Sequence, residues 1–461
     1  MRVGLYTLGC DKNTVDNEYL AGMLEDRGCE VDFIDDASGD HPYDAVVVTT
    51  CGFIGDAKKQ SVEALLEFTE RKKEGGYPRR VFAAGCLAQR YADDLLEELP
   101  HLDGLVGVGQ YERLTELILD ERAAPVRNVR DVPRVEIEHF MRRKRIDAKP
   151  YSFLKISDGC NHGCTFCSIP IMKGRHQSVP LEVLLDEARS LLDQGVKELV
   201  LVAQDLADYG RDGGQDCRLP DLLRALCALD GDFWVRCMYV YPMGITDEFL
   251  EIMASGPKIV PYLDVPLQHL DPDTLRRMNR PAKDVNTFKL VERIRARVPN
   301  IALRTTMIVG FPGETRLAHL NMLAGLKELR FNWLGAFQYS TEDGTPAGAM
   351  DGQLSQATRK RRWNAVMETQ AEITGEWNRN RVGTRTRVLV ESYDPAVGRG
   401  TGRTPAEAPE VDGNVLIESA LPLAPGTFVE AEIVDSDTYD LHVQVVSGAD
   451  IPLQEPKRGG R

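Results

Sequence analysis

The chain has 461 residues, a formal net charge of −15, and ordinary shares of hydrophobic (43%) and charged (28%) residues. This length predicts two to four domains that each bury a core. The negative net charge argues against a protein that binds mainly nucleic-acid phosphates, although it allows a local basic patch. No apolar run reaches the roughly eighteen residues of a membrane span. The N-terminal segment lacks the apolar core of a signal peptide, which predicts a cytoplasmic protein. The ten cysteines are therefore expected to be reduced thiols that bind metal.

Residues 1–125 alternate strand-like and helix-like segments, which predicts an open parallel α/β sheet with helices on its faces. The predicted strands are 2–8, 30–34, 44–50 and 80–85. Cys10, Cys51 and Cys86 each follow the carboxyl end of one of them. These ends face one crevice in such a sheet, so the three thiols are expected to converge around a metal cluster. Burial of each thiol as a small hydrophobic residue is the alternative, and it is the interpretation preferred for Cys29.

The stretch 126–148 is the most basic part of the chain. Arg127, Arg130 and Arg134 are followed there by the basic run 142–145. The stretch has no clear periodicity, which predicts a solvated linker between domains. A nucleic-acid patch and a transient contact with an acidic or phosphorylated partner are alternatives.

A second set of cysteines follows the predicted strand 151–157. Cys160, Cys164 and Cys167 have the spacing C-x3-C-x2-C. Thiolates are soft ligands for iron–sulfur clusters or zinc, and structural zinc normally takes four ligands. Three cysteines would leave one iron of a four-iron cluster open to a substrate or cofactor. The alternatives are a buried cysteine cluster and a zinc site completed by His162.

Residues 149–378 continue the strand–helix alternation and contain six predicted strands, too few for a closed eight-stranded barrel. These strands are 151–157, 198–203, 233–240, 259–267, 301–309 and 334–339. Residues at the carboxyl ends of such strands are the expected site residues. They include Gln204, Gln268 and Gly310.

Residues 379–448 read as short strands punctuated by glycines, which predicts a small antiparallel β-barrel before a tail, 449–461. Between residues 384 and 446 there are four arginines, no lysine and eleven acidic residues, a net charge of −7. An RNA-binding barrel is expected to be basic. An acidic barrel would instead attract a basic protein, unless the acidity is only solvated surface.

The cysteine motif at 160–167 resembles that of the radical S-adenosylmethionine (SAM) enzymes. The phrases around Cys10, Cys51 and Cys86 resemble the N-terminal domain of one group among them, the methylthiotransferases. The segment 408–413 with its flanks resembles a TRAM domain. The resemblance implies a partial (β/α)6 barrel that opens sideways, SAM as a cofactor, and two [4Fe–4S] clusters.

The resemblance also implies roles for particular residues. Cys160, Cys164 and Cys167 would hold the radical cluster, and Cys10, Cys51 and Cys86 the auxiliary cluster. Phe166 and the loop at Gly310 would lie near the adenine of SAM, with Gln204 and Gln268 at neighbouring strand ends. Arg304 would pair with the carboxylate of SAM, and a core salt bridge is its alternative role. No general base or nucleophile is required, because the cofactors supply the chemistry.

The phrases 204–210, 239–242 and 261–269 most resemble the branch of the family that modifies a protein. The implied reaction inserts a methylthio group at the β-carbon of an aspartate in the ribosomal small-subunit protein S-twelve. An electron donor protein and a sulfur donor are the further partners, and direct RNA binding is not expected to dominate. The alternatives are a tRNA methylthiotransferase acting on a modified adenosine and a non-catalytic iron–sulfur scaffold associated with the ribosome.

Overall fold

The computed structural model describes residues 1–39, 42–120, 126–130, 142–213, 216–280 and 286–448. Two open six-stranded sheets and a closed five-stranded barrel follow one another along the chain. This order confirms the predicted fold class. The predicted tail, 449–461, and Arg134 lie outside the described residues. Among the residues described, no helix has the length and apolar character needed to cross a membrane.

The N-terminal sheet is parallel throughout, with the strand order β2-β1-β3-β4-β5-β6. Its elements are β1 Arg2–Thr7, α1 Asp11–Asp26, β2 Glu30–Ile34, β3 Ala45–Thr50, α2 Gly55–Lys73, β4 Arg80–Gly85, α3 Cys86–Arg90, α4 Ala92–Glu98, β5 Gly104–Val106, α5 Tyr111–Leu119 and β6 Val126–Asn128. Strand β3 is buried along its whole length, as expected for a β-branched run with helices on both faces. The structure adds β5 and β6 to the four predicted strands.

The second sheet is also parallel, with the order β14-β13-β12-β11-β10-β7. Its six strands confirm the predicted number. The elements are β7 Tyr151–Lys155, β8 Ser157–Asp158, α6 Ile169–Lys173, β9 Gln177–Ser178, α7 Leu181–Asp193, β10 Glu198–Val202, α8 Leu219–Cys227, β11 Trp234–Cys237, α9 Asp247–Ser255, β12 Ile259–Asp264, α10 Pro272–Arg277, α11 Thr287–Arg297, β13 Ala302–Val309, α12 Arg316–Leu329, β14 Trp333–Gln338 and α13 Gln356–Arg381.

The C-terminal strands close into a barrel in the order β15-β16-β17-β19-β18. They are β15 Arg385–Asp394, β16 Arg399–Arg403, β17 Val415–Glu418, β18 Phe428–Ser436 and β19 Leu441–Gly448. The barrel is confirmed, but the prediction that it is wholly antiparallel is wrong for one pair, because β17 and β19 run parallel. Strand β16 was not predicted, since its sequence, RGTGR, has no apolar alternation.

The basic stretch 126–148 is not simply a solvated linker. Its first residues form β6, which pairs with β5. The side chain of Arg143 is 2% exposed and forms ion pairs with Glu18 on α1 and Glu187 on α7. It also donates to the Phe153 carbonyl at 2.8 Å. A charge that is desolvated in this way is stabilised by its partners, so Arg143 holds the first two sheets together.

The barrel is joined to the second sheet by buried charges as well. Glu198, at the start of β10, accepts from Arg236 and pairs with Arg403 of β16, both at 2.6 Å. Trp333 donates its indole N–H to the Ala406 carbonyl at 2.7 Å. The segment between β16 and β17 therefore packs against the strands of the second sheet.

Candidate active site

The first cysteine triad, Cys10, Cys51 and Cys86, lies at the carboxyl ends of β1, β3 and β4, which are adjacent strands. Cys10 precedes α1 with an extended backbone, and Cys86 is the first residue of α3. All three thiols interact electrostatically with one another. The predicted convergence of these cysteines therefore holds in the fold.

Two glycines allow the first triad to pack closely. Gly9 has φ +105°, and a Cβ there would lie 3.0 Å from Cys51 Cβ and 3.3 Å from Cys51 Sγ. A Cβ on Gly52 would lie 3.0 Å from the carbonyl atoms of Cys86. A side chain at either position would displace a cysteine, so the glycines form a cradle for the triad.

The thiols of both triads are available as ligands. All ten cysteines are free thiols. Tetrahedral zinc with sulfur ligands about 2.3 Å away brings those sulfurs to within about 4 Å of each other. Among the described residues, His162, Asp205 and Asp208 are the one group of three ligand atoms that lie within 4.8 Å of one another. In neither triad, therefore, do all three thiols lie within 4.8 Å of one another. The preference for a cluster over zinc rests on the number of cysteines, since structural zinc takes four ligands.

Burial sets the protonation state of the first triad. Burial raises the pKa of the Cys86 thiol to about 12, and burial also raises the pKa of Cys51. Because a metal binds the thiolate, cluster binding has to displace these protons. The triad supplies soft, anionic ligands once it binds iron.

The second triad, Cys160, Cys164 and Cys167, lies on a loop that is fixed from two sides. The Cys160 N–H donates to the Gly174 carbonyl at 3.1 Å, and the Thr165 N–H donates to the Met278 carbonyl at 3.0 Å. The Asn279 side chain donates to the Gly163 carbonyl at 2.8 Å. Burial raises the pKa of Cys160 and of Cys167 to about 12.

His162, weighed as a zinc ligand from the sequence, has another role in the structure. Its Nε2 lies 2.7 Å from Asp205 Oδ2, and its ring stacks on Tyr241 with 3.7 Å between the centroids. The Arg280 guanidinium lies 4.1 Å from the centroid of Tyr241 and donates to Cys164 Sγ at 3.7 Å. These contacts orient the cysteine loop. Arg280 was not singled out from the sequence, because only the fold brings it to Cys164.

The residues predicted to lie near adenine come together. Phe166 is half-buried and packs in an apolar cluster with Ile308 and Phe311, on either side of the Gly310 loop. The Gly310 backbone has φ +73°, and a Cβ there would lie 2.4 Å from Arg359 Cγ. The Gly310 N–H donates to Glu314. An aromatic ring and a tightly held backbone therefore meet at this end of β13, and their contact with adenine stays a prediction.

Gln204 and Gln268 both lie past the ends of their strands and are half-buried. Gln204 Oε1 is a buried acceptor without a hydrogen-bond partner among the described residues. The Gln268 backbone has φ +73°, and Tyr239, at the end of the neighbouring strand, has φ +58°. Left-handed backbone at non-glycine residues is uncommon and is concentrated at functional sites.

Arg304 forms the core salt bridge that was its alternative role. Its Nη1 lies 3.3 Å from Asp264 Oδ1, and its Nε lies 3.3 Å from Asp412 Oδ1 in the C-terminal barrel. Tyr262 donates to the same Asp412 at 2.6 Å. The guanidinium is thus already paired with two carboxylates, and its pairing with a SAM carboxylate stays a prediction.

Two buried lysines near the first triad were not predicted as site residues. Lys12 pairs with Asp11 at 3.0 Å and lies 3.3 Å from the centroid of Tyr239. Lys173 lies 2.9 Å from Asp158 Oδ2. Each ammonium also interacts with thiols of the triad, Lys12 with Cys10 and Lys173 with Cys51 and Cys86. Each ammonium is itself paired with a buried carboxylate.

Comparison with known proteins adds to this geometry. Residues 154–323 match the model of the radical SAM superfamily, residues 2–107 that of the uncharacterized protein family UPF0004, and residues 382–446 that of the TRAM domain. The ribosomal protein uS12 methylthiotransferase RimO of Desulforudis audaxviator is 41% identical over 448 residues, 97% of each chain. The RimO of Lachnoclostridium phytofermentans is 39% identical over 96% of this chain and 99% of its own.

The chain belongs to the RimO family. This membership confirms the prediction of a radical SAM methylthiotransferase that uses [4Fe–4S] clusters and SAM. Among solved structures, the radical SAM methyltransferase TsrM from Kitasatospora setae has a TM-score of 0.57 at 18% identity, over 75% of this chain and 74% of that one. The cobalamin-dependent SAM radical enzyme OxsB has a TM-score of 0.53 at 13% identity, over 81% and 56%. These two likenesses show the fold alone.

Proposed function

We propose that this RimO-family chain inserts a methylthio group at the β-carbon of an aspartate in ribosomal protein uS12. The observation that carries the proposal is full-length similarity, at 41% identity, to enzymes named for that substrate. The two cysteine triads support it independently. Each contains three thiols at the carboxyl end of a parallel sheet, where ligands bind in such folds.

The triads have separate roles in the proposal. Cys160, Cys164 and Cys167 hold the radical cluster, and Cys10, Cys51 and Cys86 hold the auxiliary cluster. When bound, SAM and the clusters supply a carbon-centred radical and a transferable methylthio group. The chain binds and orients these groups.

Further residues serve SAM in the proposal. Phe166 and the Gly310 loop cover its adenine, while Gln204 and Gln268 offer polar atoms at adjoining strand ends. Arg280 and His162 hold the cysteine loop against the second sheet. Arg304, which pairs with Asp264 and Asp412, remains the candidate for the SAM carboxylate.

A protein substrate is favoured by the charge of the C-terminal barrel. Glu391, Glu407 and Asp412 form ion pairs with arginines and have side chains at most 19% exposed, as does Arg403. Without these four, the barrel between residues 384 and 446 still has three arginines and eight carboxylates, a net charge of −5. Such a surface repels RNA phosphates and attracts a basic ribosomal protein.

The alternative of a tRNA substrate loses part of its support. The basic stretch 126–148 was the feature that favoured tRNA. Arg143 of that stretch is buried between Glu18 and Glu187, so the charge of Arg143 does not face a partner. A non-catalytic scaffold is the more distant alternative, and failure to form 5′-deoxyadenosine with a reductant would favour it. The proposal further requires an electron donor protein and a sulfur donor. It also places the enzyme in the cytoplasm, where ribosomes are.

The substrate is tested in cells that lack this chain. Intact-protein and peptide mass spectrometry of uS12, and nucleoside mass spectrometry of tRNA, are compared with the parent strain. The proposal expects loss of one methylthio group from the uS12 aspartate and unchanged tRNA. Loss of a methylthio nucleoside with intact uS12 modification would establish the tRNA alternative instead.

A further inference from the structure

One loop of the second sheet contacts the segments that carry both cysteine triads. It follows β14, and we call residues 340–350 the bridging segment. Near its start, the Glu342 carboxylate accepts from Arg90 of α3 at 2.9 Å and from Lys58 of α2 at 2.8 Å. The side chains of Glu342 and Arg90 are 3% and 5% exposed. A buried ion pair therefore fixes this loop of the second sheet to two helices of the first.

Arg90 carries the contact to the first triad. It is the last residue of α3, the helix that begins with Cys86. Its Nη1 also donates to the carbonyl of Gly52, the residue after Cys51, at 3.1 Å. A Cβ on Gly52 would lie 3.0 Å from the Cys86 carbonyl, so the two backbone segments pack closely. Through Arg90, Glu342 thus holds the backbone that presents Cys51 and Cys86.

The other end of the bridging segment contacts the second triad. The Ala347 N–H donates to the Thr165 carbonyl at 2.9 Å, in the loop between Cys164 and Cys167. Ala347 is fully buried and belongs to the apolar cluster against which Phe166 packs. The bridging segment is therefore attached to the loop of the second triad as well as to the backbone of the first.

Internal contacts hold the bridging segment in one conformation. Thr345 Oγ1 donates to the Glu342 carbonyl at 2.7 Å and accepts from the Gly348 N–H at 3.3 Å. A Cβ on Gly348 would lie 2.8 Å from the Glu342 carbonyl oxygen, so the chain passes close to itself there. A segment packed this tightly transmits a displacement of one end to the other.

We propose that Glu342 is a positioning residue that sets the first triad relative to the second, so that the groups bound at the two triads reach the same substrate carbon. The inference rests on the proposed function, because it requires both triads to hold clusters. Arg90 and Lys58, which pair with Glu342, are not among the residues proposed to bind SAM, so SAM cleavage is expected to proceed without this ion pair. Transfer between two held groups is sensitive to their placement, and a displacement of about 1 Å costs about 100-fold in rate.

The test uses the full reconstituted chain with SAM, a reductant, sulfide and a uS12 peptide. Two quantities are measured: 5′-deoxyadenosine formed without peptide, and methylthio peptide formed per 5′-deoxyadenosine when the peptide is present. Glu342→Gln removes the charge that holds Arg90. It is expected to leave the first quantity and the iron content close to wild type, and to lower the second about 10- to 100-fold.

One further variant and two controls separate positioning from general damage. Gly348→Ala pushes on the Glu342 carbonyl without changing any charge, and it is expected to lower the same ratio. Asp343→Asn changes the adjacent exposed carboxylate, which accepts from the Tyr91 hydroxyl at 2.9 Å. Arg143→Met removes buried ion pairs that join α1 to α7 across the same two sheets. Both controls are expected to keep the wild-type ratio of methylthio peptide to 5′-deoxyadenosine.

A wild-type ratio in Glu342→Gln would overturn the inference, and if that variant does not fold, Gly348→Ala decides in the same way. An equal fall in Arg143→Met would also overturn it, because any damage between the two sheets would then suffice. Loss of 5′-deoxyadenosine formation in the Glu342 and Gly348 variants would show a structural role instead. Wild type that forms 5′-deoxyadenosine but no methylthio peptide would overturn the proposed function.

Discussion

Replacing Gly9 by alanine tests whether the first triad depends on its glycine cradle. The new Cβ would lie 3.0 Å from Cys51 Cβ, 3.3 Å from Cys51 Sγ and 2.8 Å from the Asn13 side-chain nitrogen. Gly9 also has φ +105°, which an L-residue rarely adopts. The change therefore strains the backbone and pushes on a proposed cluster ligand at the same time.

The cost of this change has two parts. Left-handed backbone strain costs about 1–2 kcal/mol for an L-residue. Forcing an extra carbon into a packed site costs about 1–3 kcal/mol more. Gly28→Ala is the matched control, because Gly28 has φ +84° and open space where its Cβ would lie. Gly9→Ala is thus expected to destabilise the protein by about 2–5 kcal/mol and Gly28→Ala by about 1–2 kcal/mol.

The assay measures cluster content as well as stability. The assay uses a parent in which Cys160, Cys164 and Cys167 are changed to alanine. This parent and its Gly28→Ala variant are each expected to hold about four irons per chain after reconstitution. Gly9→Ala is expected to lose most of that iron. Denaturant unfolding gives the two stability differences. If Gly9→Ala keeps its full iron content and is as stable as Gly28→Ala, the proposal that the first triad depends on a glycine cradle is refuted.

Three further substitutions test other contacts. Arg143→Met leaves Glu18 and Glu187 without their buried counter-charge, so chemical denaturation should show a loss of about 3–5 kcal/mol. Burial alone would raise the pKa of Glu198, but Arg236 and Arg403 hold it below its ordinary 4.5. The excess stability of the wild type over Glu198→Gln is therefore expected in full above pH 4.5 and to decline as pH falls below it, which Tm measurements across pH will check. Phe166→Ala should weaken SAM binding in equilibrium dialysis while iron content stays unchanged, and unaltered affinity would remove Phe166 from the SAM site.

The sequence predicted that Cys10, Cys51 and Cys86 lie at neighbouring strand ends, because each of them follows a strand-like apolar run. The run 44–50 is β-branched and ends at Cys51, and the strands before Cys10 and Cys86 are similarly apolar. In a parallel sheet the carboxyl ends of the strands lie along one edge, so no further information is needed to place these cysteines at that edge. The order β1-β3-β4 then brings the three thiols together.

Contacts between distant segments could not be predicted in the same way. Arg143 reads as part of a solvated basic run, and only the packing of α1 against α7 and β7 buries it. Lys173 forms buried ion pairs with Asp158 and Asp16, and only the fold brings these residues together. Strand β16 lacks apolar alternation, and its pairing with β15 and β17 gives it its structure.

The most direct test of the central claim combines the two triads with the proposed substrate. Anaerobically reconstituted protein is incubated with SAM, a reductant, sulfide and a uS12 peptide, and the peptide is analysed by mass spectrometry beside 5′-deoxyadenosine. The wild type is expected to add one methylthio group to the aspartate. A variant with Cys10, Cys51 and Cys86 changed to alanine should form 5′-deoxyadenosine but leave the peptide unmodified. Methylthio peptide from that variant would contradict the role of the first triad.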